Sequence, residues 1–259
     1  MQTQIVPGAR GWRWLPAGFA LYRRNPLALG VIVVGYWLMM ILASAVPFIG
    51  QFATTVCIPV FAVGIMNACR DIERHRPVPP ALLFSAFRPN PVPLLTLGAV
   101  YLVMTLSTLA LTSFADGGVL LRLMLGDETS REALETPGFL LACELGIVLM
   151  VPVMMAYWFA PVLVAWHGFS PAKALFFSFF ACLRNWRPFV GYALSLIIWG
   201  VVVPGFIVGI LASVLPQGGG AVAILTAPLI FVLAPTLFAS FYVTYCDVFA
   251  DSGHVDTHA

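Results

Sequence analysis

Between Asn25 and Arg70 the chain carries no charged residue, and that run is too long for one helix across a bilayer. A spanning helix needs about 20 apolar residues. The string Pro47-Phe48-Ile49-Gly50-Gln51 supplies a turn that divides the run in two. Similar segments follow, so the apolar runs Leu27–Pro47, Gln51–Cys69, Val92–Phe114, Gly138–Trp166, Phe189–Leu215 and Ala221–Cys246 predict six spans. The last two are parted by Pro216-Gln217-Gly218-Gly219-Gly220. Composition leaves little alternative: 61% of the 259 residues are hydrophobic and 9% charged, where soluble domains carry about 25% charge. A fold in water could not hide that much apolar surface behind so few charges. The fold class expected is an all-α integral membrane protein, with lipid as its main solvent.

Basic residues then orient the spans. Arg10, Arg13, Arg23 and Arg24 precede the first; Arg70, Arg74, Arg76 and Arg88 separate the second from the third; Lys173, Arg184 and Arg187 separate the fourth from the fifth. Eleven of the thirteen basic residues thus fall on one side. The other side holds Arg122 and Arg131 among Asp116, Asp127, Glu128, Glu132 and Glu135. Both termini are expected in the cytoplasm. A rival reading takes Leu27–Ile41 with Ala43-Ser44-Ala45 as a cleaved signal. Its 26 leading residues, and the return of apolar character within five residues, argue against it.

Two motifs recur in the same order. Phe19-Ala-Leu-Tyr-Arg23-Arg-Asn25-Pro26 aligns without gaps to Phe84-Ser-Ala-Phe-Arg88-Pro-Asn90-Pro91, and Phe180-Ala-Cys-Leu-Arg184 through Pro188 is a looser copy. In the returning helices, Ile58-Pro59-Val60-Phe61, Ala160-Pro161-Val162-Leu163 and Ala234-Pro235-Thr236-Leu237 match. The expectation is three parallel repeats of an amphipathic helix plus a transmembrane hairpin, at about 10–69, 79–166 and 170–246. They form a single polytopic domain over 1–246, with a polar tail over 247–259. The alternative is that Arg-Asn-Pro strings are ordinary boundary chemistry, Arg closing one helix and Pro opening the next.

The short helices read as interfacial, by an apolar stripe of Trp12, Leu15, Phe19 and Tyr22 in the first and of Leu175, Phe176, Phe179, Phe180 and Leu183 in the third. Anionic lipid at these helices, with Arg23, Arg88 and Arg184 at their ends, is one expectation; simple anchoring of the bundle is the other. Glu144 is the one charge deep in an apolar run, so it is either a functional carboxylate or a group that reaches the outer interface to pair with Arg122 or Arg131. Pro59, Pro152, Pro161, Pro204, Pro228 and Pro235 kink or break spans, which frees backbone groups that transporters use and that neighbouring helices ordinarily re-satisfy. Gly205-Phe-Ile-Val-Gly209 is a packing face for close helix contact, in the bundle or between copies of the chain.

No catalytic chemistry is expected. The chain has no GxSxG, HExxH, P-loop or GxGxxG, and the loops are too short for a soluble catalytic domain. The five cysteines, Cys57, Cys69, Cys143, Cys182 and Cys246, show no metal-ligand spacing, and His75 and His167 stand singly. His254 and His258 are four apart, but in a polar tail. Neither metal nor cofactor is expected, and a net charge of +2 points to no nucleic-acid partner.

With its Gly11-Trp12-Arg13-Trp14-Leu15 opening, Gly18, Arg23 and Pro26, the chain resembles a family of uncharacterised proteobacterial inner-membrane proteins. More distantly, the repeated Pro-bearing helix and the helix before each hairpin resemble the membrane domain fused to some glycerophosphodiester phosphodiesterases. The first resemblance implies a bacterial inner membrane and no established activity. The second implies architecture only, because the phosphodiesterase chemistry belongs to a soluble barrel for which this sequence has no room. Two functions stay open: a binding, scaffold or assembly protein acting through its helix surfaces, or a small-solute or lipid transporter using kinked helices and Glu144.

Overall fold

A computed structural model describes residues 3–46, 49–88, 90–127, 129–214 and 219–249. Among the described residues there are twelve α-helices and no strand. Six helical stretches are long and apolar enough to cross a membrane: Pro26–Ser44, Gly50–Glu73, Val92–Asp116, Pro137–His167, Trp186–Ser213 and Ala227–Val248. The six predicted spans are therefore present. The Pro47-Phe48 turn, the Pro216-Gln217-Gly218 turn and the histidine tail lie outside the described residues.

The chain divides into two compact units, one of residues 1–42, 61–89 and 181–259 and the other of 43–60 and 90–180. In the first, α1 (Gly11–Arg24) leads into α2 (Pro26–Ser44). Asn25 separates them, its Oδ1 accepting the Ala28 amide at 3.2 Å while Pro26 takes the first helical position. The inner half of α3 (Ile49–Glu73) follows, then a 3₁₀ helix over Pro80–Phe87. The rest is α10 (Trp186–Ile197), a π-helical turn over Ile198–Val202, α11 (Val203–Val214) and α12 (Gly219–Val248). Pro204 explains the π turn: without an N–H it cannot bond the Gly200 carbonyl, and the Val203 amide bonds Ile198 instead. By contrast α12 runs unbroken through Pro228 and Pro235. The core gathers Trp14, Leu29, Ile32, Val33, Val63, Ile65, Tyr192 and Val248. Tyr36 meets Phe61 and Phe238 edge-on.

In the second unit α4 (Val92–Asp116) ends on Gly117 and Gly118, both with positive φ. Asp116 turns the chain there, its two carboxylate oxygens accepting the Gly118 and Leu120 amides at 2.8 and 2.7 Å. The apolar α5 (Val119–Leu125) folds back, α6 (Arg131–Leu134) follows, and Thr136 caps α7 (Pro137–Tyr157) by accepting the Phe139 amide. The fourth span is not one helix: it breaks at Trp158-Phe159, where Pro161 opens α8 (Ala160–His167). The break is closed by α9 (Pro171–Arg184). Ser178, fully buried, accepts the Phe159 amide at 2.9 Å and donates to the Met155 carbonyl at 2.8 Å. On α7, Tyr157 donates to the Leu97 carbonyl at 2.9 Å, with Tyr101 against its ring edge.

Candidate functional site

The densest polar site of the first unit lies where α1 meets α10 and the end of α12. It begins with close backbone approach. A Cβ on Gly18 would fall 2.6 Å from the Ser240 amide nitrogen, and one on Gly11 would fall 1.9 Å from the Pro188 carbonyl oxygen. Only glycine permits both contacts. The face of α12 that receives α1 is built of small hydroxyl residues, Thr236, Ser240 and Thr244, all buried and each bonded to its own helix.

That approach seals Trp14 completely, edge-on to Phe189 and Tyr192. Its indole N–H donates to Asp247 at 2.6 Å, and Arg10 reaches the same carboxylate through Nε at 2.8 Å. The hydrogen bond to Asp247, more than its charge, raises the proton affinity of Arg10. Tyr192 and Ser240 share a hydrogen bond of 2.5 Å. The amino-terminal segment completes the seal, with Val6 N–H donating to buried Asn185 at 2.8 Å and Gln4 N–H to the Val248 carbonyl at 3.0 Å. Beside it, Tyr242 donates to Glu73 at the end of α3. Every one of these groups has a donor or acceptor within the chain, so the arrangement ties helices together. The charge of Asp247 is neutralised where it emerges, and α12 thereby runs beyond the expected Cys246 boundary.

None of Asp247, Trp14, Asn185 or Ser240 stands out in the sequence as a site. The available signal is slight: Asp247 is the lone acidic residue closing the last apolar run, and Trp14 sits one turn from Arg10. Of the residues that do stand out, no polar contact joins any two among the described residues. Pro59 and Pro235 are buried inside continuous helices, while Pro161 marks a true break. Arg23, Arg88 and Arg184 are exposed, Arg23 lying over the Phe19 ring at 5.9 Å. Gly205 and Gly209 are exposed, and among the described residues nothing lies within 4 Å of a Cβ at either position.

The aromatic stripes of α1 and α9 lie mostly outward, and small residues make up much of their buried faces. On α1 the buried residues are Gly11, Trp14, Leu15, Gly18 and Leu21, with Trp12 and Phe19 exposed. On α9 Ala174, Ser178, Ala181 and Cys182 face inward, while Phe176, Phe180 and Leu183 face out. Small residues pack because they admit a neighbouring backbone, and lipid accepts the large ones. Burial pushes the Cys182 thiol up to about 12. Of the alternatives for Glu144, a pairing with Arg122 or Arg131 does not occur among the described residues. Glu144 is exposed on α7 and has no hydrogen bond or ion pair among the described residues.

The chain is similar to a probable inner membrane protein of Burkholderia thailandensis, 40% identical over 253 residues that cover 95% of this chain and 93% of that protein. No family model matches, and no solved structure matches.

Proposed function

The chain belongs to the same family of multi-pass inner-membrane proteins as this Burkholderia relative, and from that premise we propose that it acts by contact, as a binding, scaffold or assembly protein. The observation that carries the reading is where polar groups are spent. At the α1–α10–α12 junction and at the Trp158-Phe159 break they bond one another inside the chain. What is left outward is shape: the aromatic face of α9, the π turn and α11, and the apolar face of α7. The transporter reading draws on Glu144 and the kinked helices. It loses support on both counts, since Glu144 faces outward and the break before Pro161 is re-bonded by Ser178.

The proposal includes the three-copy organisation, which burial supports. Setting Pro59 on Pro235 aligns buried Val60, Val63, Gly64, Met66, Ala68, Cys69 and Ile72 with buried Thr236, Ala239, Ser240, Tyr242, Thr244, Tyr245 and Val248. A Cβ on Gly64 would strike the Leu83 carbonyl of the 3₁₀ helix at 2.3 Å, just as one on Gly18 would strike Ser240. Gly18 and Leu83 are the paired positions of the two short helices in the sequence register. The bias of basic residues supports a cytoplasmic side for the shared α1–α12 end, and the outward aromatics of α9 with Lys173, Arg184 and Arg187 suit an anionic leaflet.

The test is affinity capture of the full chain from gently solubilised membranes. A discrete co-purifying protein, lost when Phe176 and Phe180 are both replaced by Ser but kept in Glu144→Gln, supports the proposal. Ion-driven solute uptake into vesicles that Glu144→Gln abolishes would replace it with the transporter.

A further inference from the structure

Glu144 and Arg122 carry opposite charges, lie near the same contact, and do not meet. α5 packs on α7 at Leu120, whose Cδ2 would lie 3.8 Å from a Cβ on Gly146. Each charge is two residues away from that contact. Two residues turn a helix by about 200°, so Glu144 faces away from α5 and Arg122 faces away from α7. Among the described residues, Arg122 reaches only the Gly118 carbonyl of its own helix, at 3.4 Å. Glu144 is set among exposed Leu140, Leu141, Leu145, Ile147, Val148 and Val151. A carboxylate on an apolar face of a spanning helix is costly unless a cation covers it.

We propose that a second copy of this chain covers this face, its Arg122 seated on Glu144. Charge complementarity selects the occupant. Arg122 is exposed on an apolar helix beside exposed Met124 and Leu125, so it can enter an apolar contact as Glu144 does. Because the two charges point to opposite sides of the α5–α7 pair, the contact is head-to-tail. Each copy gives one Glu144 and one Arg122, and the contact repeats until a ring closes. This rests on the reading that the chain works through its helix faces, and it names the chain itself as one partner.

The experiment weighs the full chain in nanodiscs of phosphatidylethanolamine and phosphatidylglycerol by native mass spectrometry. Wild type is expected as an oligomer. Glu144→Arg and Arg122→Glu are each expected to lose it, while mixing the two variants, or combining both changes in one chain, restores it. Circular dichroism reports whether each variant folds, and the milder Glu144→Gln and Arg122→Gln should each weaken association about tenfold or more. A wild type that is a single copy throughout, or reversals that leave the oligomer intact, would overturn the proposal. So would a single copy that holds phosphatidylethanolamine and releases it in Glu144→Gln, since the headgroup amine would then be the partner. Failure to capture another protein while the oligomer persists would count against the proposed function and leave this inference standing.

Discussion

Along the fifth span, α10 buries Pro188, Gly191, Tyr192 and Ser195 beside α1, whereas α11 buries none of its described side chains. Both halves are thoroughly apolar, so apolarity does not decide which packs. What differs is the neighbour each can admit. Gly191 lets the Trp12 indole approach, its Cβ position lying 3.3 Å from that ring, and Tyr192 finds Ser240 as a polar partner. Gly200, Gly205 and Gly209 have open space beside them, and Trp199 and Phe206 stand outward. In lipid, burial follows small residues and polar ties, and the remaining apolar surface is left for other molecules.

The largest effect that should separate the two halves is at glycine. Gly18→Leu drives a side chain into the Ser240 backbone and is expected to cost about 3 kcal/mol or more, read as a fall in melting temperature in detergent. Gly205→Leu, by the same measurement, should move stability by no more than about 0.5 kcal/mol. An equal loss from both would erase the contrast.

Next comes the carboxylate that closes the packed end. Trp14→Phe keeps an aromatic ring but deletes the hydrogen bond to Asp247 and leaves a small void, for about 2 kcal/mol or more. Arg10→Ala should cost under about 1 kcal/mol, since its side chain is 48% exposed and solvent screens the pair. Denaturation of the two variants side by side tests that order. In the second unit, Ser178→Ala orphans the Phe159 amide at the span break and should cost about 1–2 kcal/mol.

The smallest effects concern buried groups with no task. The Ser195 hydroxyl is buried with no hydrogen-bond partner among the described residues. Ser195→Ala is therefore expected to be neutral or slightly stabilising. Cys182, its thiol held protonated by burial, should resist maleimide at pH 8 until the chain unfolds. Its folded value exceeds that of an exposed thiol, so it leaves stability unchanged below about pH 9 and lowers it above, as the unfolded chain ionises.

The six spans were legible because a helix in lipid must satisfy its backbone internally and wear apolar side chains all round. That same uniformity hid the faces. On α1 and α9 the aromatic stripes were legible, but the small residues that make the buried faces were not, because the driving force that buries Phe in water is missing between helices in lipid. Glu144 was legible as an exception to the apolar run, but its facing was not, since that depends on where α5 folds back. Asp247 and Trp14 escaped because neither is unusual alone; their importance comes from the Gly18–Ser240 crossing that brings them together.

The central claim is that the faces left exposed are working contact surfaces. Site-specific photocrosslinking in native membranes tests it most directly, with a photoreactive amino acid at Phe176 on α9 or Ile147 on α7, and at buried Tyr192 as the control. Discrete protein adducts from the two exposed positions and none from Tyr192 are the predicted result. Lipid adducts alone at both exposed positions would contradict the account.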